Sequence, residues 1–290
     1  MKVEYHENIE MFIDLVFEFL IRHEAENNIL FAILNALKKD PHRYGDIIPD
    51  LITVTKDGKL KQVSIRTPPY NQLLSYTDDL TTIDALINKL IERDMELPGV
   101  LGFKEGVNKF ASIWCEKKNL NQNLMMNERV YKLESVAEET LGDKEFIIAD
   151  ESHEEIVLKW SKEFILEAFA ESSSEREMVE SHMKQIQKSI KENRIFLLFD
   201  DGRPISMARK AGKTPNGNLV NLVYTPPSLR RKGYATECVA KLSKYLLDEG
   251  NKFCFLFTDL ANPTSNSIYQ KIGYRPIIDF DQIEFVKKDS

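Results

Sequence analysis

The sequence is poor in the features that mark several common protein classes. Its 290 residues include only three cysteines, and Cys115, Cys238 and Cys254 lack the number and spacing of a disulfide framework or a zinc site. Cys238 and Cys254 lie in apolar patterns, so we interpret them as buried thiols. No apolar run approaches the roughly 20 residues of a membrane span. Residues 1–7 lead into an acidic, amphipathic segment unlike a secretory signal, and we therefore expect a cytoplasmic protein without a membrane partner.

Motifs of hydrolytic and nucleotide-dependent enzymes are also missing. The five histidines are scattered and show no His-Glu-x-x-His spacing, so we expect no metal. The sequence contains neither a Gly-x-Ser-x-Gly elbow nor a Walker phosphate loop, which disfavours an α/β-hydrolase and a nucleoside triphosphatase. The formal net charge of −7 weighs against nucleic acid as the main partner.

Composition and length indicate an ordinary globular protein with more than one domain. Hydrophobic residues make up 42% of the chain and charged residues 29%, which is enough apolar material for a sizeable core. A length of 290 residues exceeds the usual single domain, so two domains are expected.

The C-terminal half has a regular succession of predicted elements. Apolar, β-prone segments predict strands at residues 146–149, 195–199, 204–209, 219–225, 253–258 and 282–286. Apolar stripes with helical spacing predict helices at residues 153–170 and 175–192, and another after residue 233. The turn residues 200–203 favour a hairpin between two of the strands. The predicted fold class is therefore α/β in the α+β sense, with a mixed, mostly antiparallel twisted sheet flanked by helices.

The most informative stretch is the turn at residues 225–236. Pro226 and Pro227 end a strand, and a helix begins after Gly233. Unpaired N–H groups and the dipole at a helix N-terminus favour a phosphate, and glycine lets a ligand approach the backbone. Three basic residues lie at this turn in an otherwise acidic chain: Arg230, Arg231 and Lys232. The alternative is a group of solvated turn residues beside an ordinary helix start.

The spacing of Arg230, Gly233 and Ala235 resembles the pyrophosphate signature of the GNAT superfamily of N-acetyltransferases. In that family the signature is Gln or Arg, two residues, Gly, one residue, and Gly or Ala. A second segment supports the resemblance, because the strand at 253–258 is followed by Asn262 and Tyr269 on a short helix. The two-domain layout is most similar to predicted bacterial acetyltransferases, related more distantly to glycine N-acyltransferase-like proteins.

The resemblance implies a GNAT fold for residues 136–290 and acetyl-CoA as co-substrate. It implies main-chain contacts to the pantetheine arm, a pyrophosphate held by backbone amides after Arg230, and phosphates steered by the basic side chains. The cofactor-binding residues expected in this way are Val223, Tyr224, Thr225, Arg230, Arg231, Lys232, Gly233, Tyr234, Ala235, Thr236 and Asn262. Tyr269 is the expected catalytic residue, protonating the leaving thiolate. No general base is assigned.

Structural interpretations remain open for two of these residues. Asn262 followed by Pro263 is typical of a helix N-cap and first turn, which needs no ligand. Tyr269 shares a helix face with Ile272, so packing alone also accounts for an aromatic there.

The N-terminal half, residues 1–135, is predicted to be a non-catalytic α+β domain. We expect helices at residues 7–23, 24–39, 83–93 and 104–118, and strands at 51–55, 61–65 and 130–133, the last bridging the halves. Helices followed by a hairpin repeat the beginning of the C-terminal half. Residues 66–70 are not followed by a glycine turn, and residues 97–103 lack the basic cluster. Two alternatives stay open: a degenerate copy of the GNAT fold, or an unrelated helical domain.

The resulting functional hypothesis is an N-acetyltransferase that moves an acetyl group from acetyl-CoA to a primary amine. Direct attack in a ternary complex is expected, with a small-molecule amine or amino acid favoured over a protein lysine. The alternative is a non-catalytic acetyl-CoA sensor that acts through the N-terminal half. A homodimer is compatible with either hypothesis.

Overall fold

The computed structural model describes residues 1–168, 175–261 and 263–288. Among these residues we find no helix with the length and apolarity that crossing a membrane requires. Two predictions lie partly or wholly outside the described residues: the end of the helix predicted at 153–170, and Asn262.

The first half contains ten elements. In chain order they are β1 (Lys2–His6), α1 (Ile9–Leu20), α2 (Asn28–Lys39), β2 (Asp50–Lys56), β3 (Lys59–Arg66), β4 (Gln72–Leu74), α3 (Thr81–Glu92), β5 (Gly99–Phe103), α4 (Lys104–Lys118) and β6 (Leu120–Leu133).

The second half repeats this order of strands and helices. Its elements are β7 (Glu145–Ile148), α5 (Glu154–Ala168), α6 (Glu175–Lys191), β8 (Ile195–Asp200), β9 (Arg203–Lys213), β10 (Gly217–Tyr224), α7 (Tyr234–Asp248), β11 (Phe253–Asp259), α8 (Pro263–Ile272) and β12 (Arg275–Lys287). The repeat favours the degenerate copy over the unrelated helical domain for the N-terminal half.

Matching hairpins make the repeat visible at residue level. Asp57 and Gly58 join β2 to β3, and Asp201 and Gly202 join β8 to β9. All four residues have positive φ, between 47° and 73°. A two-residue hairpin turn whose twist matches the flanking strands needs positive φ at both positions, which Asp-Gly supplies. Both hairpins were predicted from the sequence and are confirmed.

All twelve strands form one continuous, mostly antiparallel sheet with helices on both faces. The strand order is β1-β2-β3-β4-β5-β12-β6-β11-β10-β9-β8-β7. Only β4–β5 and β10–β11 pair in parallel. The last strand of each half lies next to the fifth strand of the other half, because β12 pairs with β5 and β6 pairs with β11. The two halves thus exchange their final strands.

Core packing follows the exchange. Tyr131 and Leu133 of β6 are buried in the core formed by α7 and α8 of the second half. Ile283 and Phe285 of β12 are buried in the core formed by α3 and α4 of the first half. The core of each half is completed by the last strand of the other half. The domain boundary at residue 135 stays a prediction.

A polar contact also joins the halves. The carboxylate of Glu24, which follows α1, accepts hydrogen bonds from the backbone N (2.6 Å) and Nδ2 (2.7 Å) of Asn216. Glu24 is buried at this contact. Because both carboxylate oxygens are satisfied, the contact holds the turn before β10 against the N-terminal half.

Several element predictions were wrong in type or extent. Residues 2–6 form a strand, and the helix predicted from residue 7 begins at Ile9. The short strands β4 and β5 were not predicted, since three to five residues give too little alternation to recognise. The final strand starts at Arg275 rather than at residue 282, and the bridging strand at 130–133 begins at Leu120. Both extensions are explained by the exchange, which gives these strands partners that local patterns do not reveal.

Candidate functional site

The site is built where β10 and β11 part. These parallel strands pair only from Gly217 to Leu219 on β10 and from Phe253 to Phe255 on β11. Both strands continue beyond the pairing, β10 to Tyr224 and β11 to Asp259. The two strands therefore separate beyond Leu219 and Phe255, and an opening lies between them.

A β-bulge lies on β10 at this opening. Asn221 pairs with Arg209 and Tyr224 with Met207, so Leu222 and Val223 lie opposite a single residue of β9. Leu222 has φ of 49°, an unusual value for a bulky, buried side chain. Bulges of this kind re-aim the backbone and often lie beside functional sites. Here the bulge changes the direction of the strand at the edge of the opening.

The turn after β10 leads into α7 with two residues in the left-handed region. Arg231 has φ of 63° and Gly233, the N-cap, has φ of 87°. The first bond of the helix runs from the N–H of Glu237 to the carbonyl of Gly233 (3.0 Å). The N–H groups of residues 234–236 consequently have no partner within the helix. A Cβ placed on Gly233 would meet no atom within 4 Å, so the space above the turn is open.

A cleft of about 630 Å³ connects the turn with the opening in the sheet. It passes between α5 on one face of the sheet and α8 on the other. Ten of the predicted site residues line it: Val223, Tyr224, Thr225, Arg230, Arg231, Gly233, Tyr234, Ala235, Thr236 and Tyr269. Lys232 is not among the lining residues, and Asn262 lies outside the described residues.

The basic side chains at the turn differ in the hydrogen bonds and ion pairs that they form. The Nε of Arg230 donates to the carbonyl of Thr225 (2.8 Å), and its Nη2 donates to both carboxylate oxygens of Glu167 (2.9 and 2.7 Å). Arg230 therefore ties the turn to α5. Neither Arg231 nor Lys232 takes part in an ion pair among the described residues.

Tyr269, on α8, is a largely buried residue that lines the cleft together with Val223. Its ring lies between those of Tyr131 (6.3 Å) and Tyr274 (6.0 Å). Burial raises the pKa of the Tyr269 phenol to about 12. The phenol therefore stays protonated at neutral pH and is a hydrogen-bond donor.

Four lining residues were not predicted as part of the site: Phe164, Glu167, Leu229 and Ile268. Phe164 belongs to the apolar stripe of α5, a pattern that predicts core packing and not a place in a binding site. A further carboxylate on this helix, Glu163, accepts a hydrogen bond from the Tyr224 phenol (2.9 Å). Burial, and then this bond, raise the pKa of Tyr224 to about 12. No local motif distinguishes these helix positions; only the packing of α5 against β10 brings them to the cleft.

The corresponding place in the N-terminal half is built differently. Between β4 and α3 the turn contains no glycine and carries carboxylates, and Asp79 is ion-paired with Lys56 (2.7 Å). Tyr76 packs edge-on against Phe103 at the ends of β4 and β5 (5.5 Å). An acidic turn and aromatic rings thus occupy the place of the basic turn and the opening.

A known protein family matches the part of the chain that forms the cleft. Residues 158–274 match the acetyltransferase (GNAT) family. The C-terminal half contains a GNAT domain. The matched residues extend from α5 through the cleft to the end of α8, so they include every residue that lines the cleft. No curated protein matches the sequence.

Solved structures match the fold over nearly the whole chain. A GNAT-family acetyltransferase from Colwellia psychrerythraea is 12% identical, covers 99% of this chain and 100% of its own, and superposes with a TM-score of 0.56. A tandem GNAT protein from the clavulanic acid biosynthesis pathway is 9% identical, covers 100% of both chains and has a TM-score of 0.53. A Drosophila protein is 12% identical, covers 99% of both chains and reaches 0.63. At such identities the similarity concerns the fold alone.

These findings confirm the predicted superfamily and fold class. The GNAT domain supports acyl transfer from an acyl-CoA, and hence an acyltransferase. The relation to glycine N-acyltransferase-like proteins, the acetyl donor, the amine acceptor and the roles of the site residues stay predictions.

Proposed function

We propose that the protein is an acetyl-CoA-dependent N-acetyltransferase acting on a small-molecule amine. The observation that carries this proposal is the continuity of the cleft, which leads from the open turn at Gly233 to the parted strands β10 and β11. A phosphate-bearing co-substrate at one end and a reacting carbonyl at the other would fill such a cleft.

The turn fits the pyrophosphate of acetyl-CoA. The N–H groups of residues 234–236 have no partner within α7, and they lie at its N-terminus, where the helix dipole favours negative charge. Gly233 leaves room above them, since even a Cβ there would meet no protein atom. Arg231 and Lys232, which form no ion pair among the described residues, supply positive charge, whereas Arg230 positions the turn through Thr225 and Glu167.

The opening of the sheet fits the reacting end. There the exposed backbone of β10 would pair with the pantetheine arm, and the N–H of Val223, beside the bulge, would polarise the thioester carbonyl. A neutral amine attacks this carbonyl carbon, an N–C bond forms, the C–S bond breaks, and the attacking nitrogen releases one proton to solvent, from which the group that protonates the sulfur recovers its own. Tyr269 donates its phenolic proton to the departing sulfur, because burial keeps that proton in place at neutral pH.

Turnover with an amine panel tests the proposal. Incubation of the full chain with acetyl-CoA and a series of amines and amino acids should release coenzyme A thiol and form N-acetylated product. Tight acetyl-CoA binding without acceptor-dependent thiol release would instead support the sensor alternative. Absence of acetyl-CoA binding would contradict both.

A further inference from the structure

Arg209 lies on the sheet face opposite α7 and α8, close to the opening between β10 and β11. Its neighbour Ala208 packs in the α7–α8 core, so alternation along β9 places Arg209 on the other face, with Met207. Asn221, its partner on β10, is two residues beyond the last β10–β11 pair and two residues before Val223. Arg209 is therefore on the face from which an acceptor can reach the proposed thioester without crossing α7 and α8.

Two helical layers border this place. On one side Met207 packs with Trp160 and other residues of α5 and α6. On the other side Ala25, in the α1–α2 connection of the N-terminal half, packs with Phe253 and Phe255 of β11. Arg209 thus faces the space where the two halves approach each other.

The guanidinium of Arg209 has little to bind within the protein. Its Nε donates to Oδ1 of Asn221 (2.9 Å), which directs the group across β10 towards the opening. Among the described residues no carboxylate lies within ion-pair distance of it. The other cation nearby, Arg194, is paired with Glu192 (3.2 Å). The four N–H donors on the two Nη atoms therefore have no partner in the described part of the chain.

This arrangement is unfavourable for the protein on its own. Burial, and then the charge of Arg194, lower the pKa of Arg209. A partly desolvated guanidinium with no counter-charge among the described residues costs free energy that a carboxylate ligand would recover. Its planar fork suits a bidentate carboxylate, which an ammonium group or a neutral amide does not replace.

We infer that Arg209, held by Asn221, binds the carboxylate of the acceptor, so that the acceptor is an amino acid and not a simple amine. This inference rests on the proposed acetyl transfer. The amine to be acetylated must reach the thioester near Val223, about 7 Å along the strand from Asn221. A small amino acid bridges that spacing when a hydrogen bond to Arg209 extends it at the carboxylate and the approach to the thioester extends it at the amine.

Arg209→Met is the central test, with L-alanine, L-serine and L-glutamate as acceptors beside their primary amides. For the amino acids we expect kcat/KM to fall on the order of 100-fold, as loss of a charge-assisted bidentate contact predicts. For the amides the variant should stay close to the parent. Comparing variant with parent for each acceptor cancels differences in amine basicity. Arg209→Lys keeps the positive charge but loses the planar fork. Its kcat/KM for the amino acids should therefore lie between those of the parent and of Arg209→Met.

Lys210→Met is the matched control. Lys210 is the next residue of β9, on the opposite face, where its Nζ contacts Glu249 (3.3 Å). In this variant kcat/KM should equal that of the parent for every acceptor. Because Arg209 has no counter-charge among the residues that the structure describes, Arg209→Met should also melt at the same temperature as the parent or higher, which separates a binding role from a folding defect.

Equilibrium binding decides the inference apart from turnover. With coenzyme A present, N-acetylated amino acids should bind the parent more tightly than their amides, and Arg209→Met should abolish the difference. Equal binding of acids and amides, or equal losses for both in the variant, would overturn the role of Arg209. Failure of the parent to acetylate any amine would instead overturn the proposed function.

Discussion

Two tyrosines in the cleft have the same raised pKa for partly different reasons. Burial is the main cause in both, but the Tyr224 phenol also donates to Glu163, whereas for the Tyr269 phenol we find no hydrogen-bond partner in the described part of the chain. A phenol already engaged by a carboxylate is poorly placed to give its proton to a substrate. The difference in partners therefore favours Tyr269 as the proton donor, as the sequence predicted.

Replacing Tyr269 with Phe tests that role. We expect turnover to fall by about 10² to 10⁴, because positioned proton transfer contributes that much, while acetyl-CoA affinity stays near that of the parent. Steady-state rates and the acetyl-CoA dissociation constant measure the two effects. Tyr245→Phe removes a phenol on α7 that bonds to Glu249 and should change neither. Unchanged turnover in Tyr269→Phe would leave only a packing role for this ring.

Glu128 gives the protein a pH-dependent stability. Burial, and then the charge of Asp259 beside it, raise the pKa of Glu128 to about 7. The folded pKa is higher than the unfolded one, so the stability associated with the protonated form is complete below about pH 4.5 and is lost as pH rises through 7. Above neutral pH the folded protein must hold a poorly solvated carboxylate.

Glu128→Gln should remove this loss. At pH 8 we expect the free energy of unfolding to exceed that of the parent by up to about 3 kcal/mol, with the gain vanishing near pH 4.5. Urea unfolding across this pH range measures the difference. Glu284→Gln, at an exposed position on β12, should follow the parent at every pH. A gain that is the same at pH 4.5 and pH 8 would show that Glu128 is not the titrating group.

At the scale of elements, the turn and the first residues of α7 act together. The helix has left-handed glycines at both ends, Gly233 with φ of 87° and Gly250 with φ of 93°. A Cβ on either glycine would meet no atom within 4 Å. They differ only in place, because Gly233 lines the cleft and Gly250 follows the far end of the helix.

Comparing the same substitution at these two glycines distinguishes the effect of backbone strain on stability from the effect of a side chain on ligand binding. In Gly233→Val and Gly250→Val we expect similar stability losses of about 1 to 2 kcal/mol, the cost of a left-handed conformation for a residue with a Cβ. Only Gly233→Val should lose acetyl-CoA binding, since its side chain would project into the open space of the turn. Thermal unfolding and calorimetric titration measure the two quantities. Retained binding in Gly233→Val would exclude the turn as the pyrophosphate site.

At the scale of the whole molecule, the exchange of β6 and β12 makes the two halves interdependent. The rings of Phe285 on β12 and Trp114 on α4 stack at 6.3 Å inside the N-terminal core, so the last strand of the chain completes the first half. The only other tryptophan, Trp160, lies in the core under α5 and α6. Each half thus contains one fluorescent reporter.

Interdependence predicts coincident unfolding. The Trp114→Phe variant keeps only the tryptophan of the C-terminal half, and the Trp160→Phe variant keeps only that of the N-terminal half. After correction for the stability change of each substitution, both variants should unfold in one transition at the same urea concentration. Adding Phe285→Ala should destabilise both reporters by about 3 kcal/mol or more, the cost of a large cavity in a core. Val286→Ala, at a partly exposed neighbouring position, should have a small effect. Separate transitions for the two halves would contradict the structural coupling that the shared sheet implies.

The sequence by itself determined the local parts of this protein. Asp-Gly pairs determined the two hairpins, and the glycine turn with its basic neighbours indicated the cleft and the superfamily. These features depend on backbone conformations that few residue types adopt, so the chain records them directly. Tyr269 was brought into consideration by the resemblance to the GNAT superfamily, and its role stays a prediction.

Tertiary structure decided the rest. Nothing in residues 275–287 reveals that they pair with β5, because a strand's partner is set by the competition among all strand edges. Glu167 lines the cleft, Glu163 bonds to Tyr224 beside it, and Arg209 has no counter-charge in the described part of the chain, only because α5 and the N-terminal half pack where they do. Patterns along the chain specify conformation, whereas the juxtaposition of distant side chains requires the folded sheet.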